Sequence, residues 1–153
     1  VSTPEQRIAD LGLKLPDVAA PIAAYVPTVR TGDLVFVSGQ LPWQDGEMAA
    51  TGKVGSDVTP EQAKELARTC ALNAIAALKA ELGDLSAVRR VVKLVGFVAS
   101  SPDFTGQPGV VNGASDLLAE VFGDAGVHAR SAVGVAALPL DTAVEVDLIV
   151  EVA

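Results

Sequence analysis

The sequence predicts an α+β fold: one mixed β-sheet with two helices packed on a single face. Three observations lead there. Two segments repeat apolar residues at helical spacing. Five shorter segments are rich in β-branched and apolar residues. The segments run in the order hairpin, helix, strand, helix and a closing hairpin, which suits a two-layer arrangement.

Thr3-Pro4-Glu5-Gln6 opens the chain as a short helix. Thr3 caps, Pro4 suits the first helical position and Gln6 completes a capping box. Ile8 and Leu11 are expected to face inward and Gly12 to stop it. Tyr25 to Arg30 and Leu34 to Ser38 read as a hairpin turning at Thr31-Gly32-Asp33. The run Leu34-Val35-Phe36-Val37 is nearly continuously apolar, which predicts burial on both faces. From Trp43 to Asp57, glycine and polar residues mark a loop. Thr59-Pro60-Glu61-Gln62 repeats the capping logic ahead of the longest helix. There, Leu66, Cys70, Ala74, Leu78 and Leu82 flank a row of Ala63, Ala67, Ala71 and Ile75, and Gly83 ends the helix. Val88 to Ala99 reads as a strand, and Ser100 to Gly109 as a loop. Val110, Ala114, Leu117, Leu118, Val121 and Phe122 define a second long helix that Gly123 closes. Ala129 to Ala136 and Ala143 to Val152 are the last strands, joined through Leu138-Pro139-Leu140-Asp141. In the final strand Val144, Val146, Leu148 and Val150 face one side, and Glu145, Asp147, Ile149 and Glu151 the other.

At 153 residues the chain suits one domain, 1–153. Half of it is hydrophobic, 20% is charged and the mean hydropathy is +0.40, which excludes a disordered chain. Two helices leave one sheet face without cover, so self-association is expected. Eleven Lys and Arg against 19 Asp and Glu give a net charge of −8. Nucleic acid and anionic membrane surfaces are therefore disfavoured partners, since both demand a basic footprint. The only dense basic cluster is Arg89-Arg90 with Lys93. One cysteine forbids an intrachain disulfide, and no signal peptide or long apolar run is evident. The expected location is cytoplasmic.

Phosphate-binding glycine loops and dinucleotide fingerprints are missing. With one His and one Cys, no metal site is expected. Cys70 lies on the inward stripe of the long helix and reads as a small core residue. Trp43 lines a pocket or interface, or simply packs its loop. His128 reads as a strand start at the surface rather than a catalytic base. Arg130 stands among small residues, Ser131-Ala132-Val133-Gly134. It is either a carboxylate receptor or a surface arginine paired with an acid. Glu145 either lies on a solvated face or positions a water.

Taken together, Val35-Phe36-Val37-Ser38-Gly39-Gln40-Leu41-Pro42 and Ala129-Arg130-Ser131-Ala132-Val133 resemble the two signatures of the Rid family. These are the reactive intermediate deaminases, also called YjgF-like proteins and once labelled L-PSP endoribonucleases. Ala137-Leu138-Pro139 and Val144-Glu145-Val146-Asp147 are similar to the family's closing segment. The resemblance runs over nearly the whole chain. It implies a chorismate-mutase-like homotrimer with pockets between subunits and no cofactor. It implies hydrolysis of enamines and imines to ammonia and a 2-keto acid, with Arg130 holding the substrate carboxylate and Glu145 orienting water. Tyr25, Ser38, Gly39, Asn112 and Ala132 match pocket positions. Ala132 replaces a cysteine of several members, His128 a frequent proline, and Ser115 falls near a usual aromatic. Residues 105–109 lengthen a loop at the expected pocket mouth. The alternative is a regulatory trimer that binds a small carboxylate without turnover. A ribonuclease is disfavoured by the acidic charge and the lack of a histidine pair.

If the last two strands pair through a turn near Pro139-Leu140, Glu145 lies opposite residue 135 or 136. Arg130 is then roughly 16–20 Å away along the strand. The two side chains are therefore expected to meet across a subunit boundary, or through local bending.

Overall fold

The structure is a computed structural model that describes residues 1–18 and 23–153. Among the described residues three α-helices and five strands follow in the order α1 (Pro4–Asp10), β1 (Thr28–Thr31), β2 (Leu34–Gln40), α2 (Pro60–Leu82), β3 (Val88–Ala99), α3 (Gln107–Phe122), β4 (Ala129–Val135) and β5 (Val144–Val152). The strands form one mixed sheet in the order β1-β2-β5-β3-β4. Only β3 and β4 run parallel, joined by α3. Among the described residues no helix is long and apolar enough to cross a membrane.

Local chemistry explains the helix boundaries. Thr3 and Thr59 each accept a hydrogen bond from the backbone N–H three residues on, and Gln6 and Gln62 reciprocate. Proline follows each cap, where its missing N–H is not needed. Ile8 is buried, but Leu11 is an exposed C-cap, because α1 ends at Asp10 before a second inward turn forms. α3 begins at Gln107, earlier than the apolar periodicity shows, with Pro108 in its first turn.

α2 and α3 pack side by side on one sheet face, α2 against β2 and β5, α3 against β3 and β4. Ala63, Ala67, Cys70, Ala71, Ala74 and Ile75 are all buried, and the small volume of all but Ile75 lets α2 lie close to the strands. From the sheet come Val35, Val37, Val91, Leu94, Val98 and the even-numbered residues of β5.

Among the described residues no layer of this chain covers the opposite face. Register aligns Val29, Phe36, Ile149 and Lys93 in one row across it, and Glu145, Phe97 and Val133 in another. Phe36 is 42% exposed, so β2 is covered on one face only and its apolar run does not mark two-sided burial within the chain.

The closing hairpin is not present. β5 inserts between β2 and β3, and β4 pairs with β3 at the sheet edge. The reason is the helical crossover: a strand returning through a helix aligns parallel to the strand before it, so β4 takes the edge of β3. The connection 136–143 then steps over the end of β3 instead of turning tightly.

Candidate carboxylate-binding site

Arg130 is the second residue of β4, paired with Leu94 of β3. Leu94 is buried under the helices, so Arg130 points toward the helix layer. There α3 meets it with two residues one turn apart. Arg130 Nη1 donates to Asn112 Oδ1 at 2.7 Å and to Ser115 Oγ at 3.2 Å. Positions three apart share a helix face, so Asn112 and Ser115 hold one nitrogen together.

Both acceptors are neutral. No carboxylate lies within ion-pair distance of Arg130 among the described residues; five of the eleven Lys and Arg side chains, Lys53, Lys64, Arg68, Lys79 and Arg90, have an acidic partner. No described residue accepts from Arg130 Nε or Nη2. The anchoring through Nη1 leaves the Nε/Nη2 edge of the guanidinium, two parallel N–H groups, without a protein acceptor. Ala132, two residues along the same face, is partly buried against the core and bounds this side with a methyl group.

Ser115 reaches further. Its hydroxyl lies 2.9 Å from His128 Nε2, and His128 Nδ1 lies 2.6 Å from the carbonyl of Gly126. His128 is thus not a solvated strand start but a partly buried residue engaged through both ring nitrogens. The sequence reading missed this chain of groups. Its only trace there is the spacing Asn112-x-x-Ser115 on a helix with His128 two residues before Arg130, so that alternate strand positions share a face.

Glu145 lies elsewhere. It pairs with Phe97 and sits between the buried Val144 and Val146, so it points to the uncovered face, away from Arg130. Arg130 and Glu145 are two strands apart and three residues offset, about 14 Å between Cα atoms by ordinary sheet spacings. The direct β4–β5 pairing behind the longer expected separation does not occur, because β3 intervenes. The result is similar: the two side chains do not meet within one chain.

Around Glu145 the local structure is specialised. Between Val37 and Gln40 the β2–β5 register slips, so Ser38 and Gly39 together oppose Asp147. Such a bulge re-aims side chains beside it. A Cβ at position 39 would collide with Glu145 Oε2, so only glycine lets the carboxylate lie on the backbone there. Ser38 Oγ donates to the Val26 carbonyl at 2.6 Å and tethers the segment after Tyr25, a residue that is 61% exposed. Partial burial raises the Glu145 carboxyl above the ordinary carboxylate range, and Asp147 two residues on adds to the effect. Burial likewise raises Asp147, with Lys93 opposing.

The candidate residues therefore form two groups. Arg130, Asn112 and Ala132 gather at the β4 edge on the helix side. Glu145, Gly39, Ser38 and Tyr25 belong to the β2–β5 side. Cys70 is buried and donates to the Val144 carbonyl at 3.6 Å, and desolvation pushes its thiol well up. Trp43 is 41% exposed, and its carbonyl, with that of Leu41, is held by Asn73 Nδ2. Among the described residues no three His, Cys, Asp or Glu side chains converge as a metal site would need.

Comparison with known proteins identifies the family of the chain. Residues 5–152 match the family model described as "YjgF/chorismate mutase-like, putative endoribonuclease". Protein TCP17 of Trypanosoma cruzi is 53% identical over 142 residues, 92% of this chain and 89% of that protein. The structure of Atu1372 of Agrobacterium tumefaciens, described as of unknown function, superposes with a TM-score of 0.92 at 52% identity, covering 98% of this chain and 92% of that one. A Shewanella oneidensis structure named as a "putative endoribonuclease" reaches a TM-score of 0.95 at 36% identity, covering 99% and 100%. With the family model spanning nearly its whole length, the chain belongs to the YjgF/chorismate mutase-like family, also called the Rid family.

Proposed function

We propose that the protein hydrolyses small imines and enamines that carry a carboxylate, releasing ammonia and a 2-keto acid. The observation that carries this reading is Arg130. A partly buried guanidinium without an acidic partner among the described residues, held by two neutral oxygens through one nitrogen, presents its remaining edge to a planar two-oxygen anion. The family likeness supplies the substrate class.

In this reading the chain assembles as a homotrimer through the uncovered sheet face. Burying Val29, Phe36 and Val133, each more than 40% exposed, favours that assembly. Because Arg130 and Glu145 point to opposite sides of one sheet, a shared pocket needs Arg130 from one subunit and Glu145, Ser38, Gly39 and Tyr25 from its neighbour. Water adds to the imine carbon while Glu145 takes its proton. A raised carboxyl makes that group a better base near neutral pH than an ordinary carboxylate. The resulting carbinolamine loses ammonia once its nitrogen is protonated, and the C=O of the keto acid forms as the C–N bond breaks. An enamine first takes a proton on carbon to become the imine.

The second reading is a trimer that binds a small carboxylate without turning it over. It is favoured by residues 105–109, which run into the first turn of α3, on the same helix as Asn112. One experiment separates the two. 2-Aminoacrylate or 2-iminobutyrate is generated in situ, and keto-acid release is followed with wild type and Arg130→Ala. Acceleration by wild type that the variant loses supports hydrolysis. No acceleration by wild type refutes it.

A further inference from the structure

Three ionisable side chains stand in a line on the uncovered face of the sheet. Glu145 and Asp147 are two residues apart on β5, so both point to that face, about 7 Å from one another at ordinary strand rise. Lys93 of β3 is registered with Ile149, the next β5 residue on the same face. It is therefore a diagonal neighbour of Asp147, again about 7 Å away, and lies about 14 Å from Glu145.

Lys93 reaches that face through a bulge. Val91 pairs with Val150 and is buried under the helices, and a period of two would send Lys93 the same way. The β3–β5 register slips between Val91 and Lys93, so the extra residue Val92 turns Lys93 over to the carboxylates. The line thus runs cation, Asp147, Glu145. Two partly buried carboxylates at this spacing resist joint ionisation. The ammonium selects which one ionises first, because it stands at half the distance from Asp147. The charge that acts on Glu145 is that of Asp147, whereas the charge that opposes burial at Asp147 is that of Lys93.

We propose that Asp147 and Lys93 are positioning residues for the base: Lys93 keeps the negative charge on Asp147, and charged Asp147 leaves Glu145 as the carboxylate that takes the proton from water. The inference rests on Glu145 being that base. Without Asp147, Glu145 ionises at lower pH and is a weaker base. Without Lys93, the two carboxylates share one proton and neither is singled out.

The other charges near the line are paired or distant. Arg89 and Arg90 lie at the far end of β3, and Arg90 pairs with Glu151 at 3.1 Å. Lys53 and Asp141, ahead of β5, pair at 3.2 Å. β2 contributes no ionisable side chain, and β4 turns Ala129, Ser131 and Val133 to this face. Behind the sheet, Cys70 of α2 is a buried thiol held protonated. In the assembled pocket Arg130 of the neighbouring subunit also approaches Glu145. It is common to every variant compared, so it cancels from the differences.

The test is a pH titration by NMR of protein labelled with 13C at the Glu and Asp carboxyls, with Glu145→Gln identifying the Glu145 resonance. Keto-acid release from 2-iminobutyrate is followed over the same pH range. Asp147→Asn should lower the Glu145 midpoint, and the acidic limb of kcat with it, by about one pH unit, the scale of one like charge at that separation. Asp147→Glu, which keeps the charge, should stay near wild type. Lys93→Met should lower and broaden the Glu145 midpoint; a cation acting on Glu145 directly would, on removal, raise it. In the Asp147→Asn background Lys93→Met should change nothing, since its action runs through Asp147. An unmoved Glu145 midpoint in Asp147→Asn overturns the inference, as does a midpoint raised by Lys93→Met. A wild type that titrates as expected but releases no keto acid overturns the hydrolase reading and the positioning role with it, while the charge order stands on the NMR alone.

Discussion

Replacing Arg130 tests the grip most sharply, because the structure separates its two roles. Through Nη1 the guanidinium holds Asn112 and Ser115; through Nε and Nη2 it is free to hold a ligand. Arg130→Ala removes both. On the ligand side, two charge-assisted hydrogen bonds are each worth about 1.5–3 kcal/mol. Even the lower sum, about 3 kcal/mol, lowers kcat/KM roughly 150-fold. On the structural side, two bonds to neutral acceptors at a sheet edge cost about 1–2 kcal/mol together. That corresponds to a fall of about 3–6 °C in Tm. Arg130→Lys keeps the charge but not the planar fork and should fall between wild type and Ala. The assay is keto-acid release from 2-iminobutyrate generated in situ, with thermal unfolding of each variant alongside. Activity within threefold of wild type in a folded Arg130→Ala protein refutes the assignment.

Further outcomes follow from the Glu145 side and the core. Glu145→Gln should lower kcat by at least about 100-fold, the usual contribution of a positioned base. The wild-type acidic limb should sit above the ordinary carboxylate range. The same shift has a stability consequence. The folded state holds the Glu145 proton to higher pH than the unfolded chain, so stability falls as pH rises from the ordinary carboxylate value through the raised one. Glu145→Gln should therefore raise Tm at neutral pH relative to its effect in acid, as thermal melts across pH would show. Gly39→Ala should displace the Glu145 carboxylate and cut kcat more than it raises KM, measured by steady-state kinetics. The Cys70 thiol, buried and held protonated, should resist a disulfide reagent in the native protein and react fully on unfolding, as absorbance of the released thiolate would report.

Much of the fold was legible because its signals are local. Thr59-Pro60-Glu61-Gln62 and Gly83 mark α2 to the residue, and the alternation of β5 separates Glu145 from the core-facing valines. Strand order was not legible. Nothing near residues 136–143 tells a tight turn from a step over β3, since the decision lies in how α3 returns the chain to the edge of β3. The apolar run of β2 misled for a related reason: Phe36 faces the bare side of the sheet, so its hydrophobicity does not report a covering layer within this chain. For the site, Arg130 stood out by its small neighbours and Asn112 by the family resemblance, but Ser115 and His128 did not stand out as its partners. Asn112, Ser115 and His128 lie on a helix and a turn that reach Arg130 only once α3 has packed on the sheet.

The most direct measurement is a crystal structure of the protein with a bound 2-keto acid. The account predicts a carboxylate on Nε and Nη2 of Arg130, with Glu145 of a neighbouring copy within hydrogen-bond reach of the carbonyl carbon's substituents. A ligand seated away from Arg130, or an Arg130 fork filled by a protein acid, would contradict it.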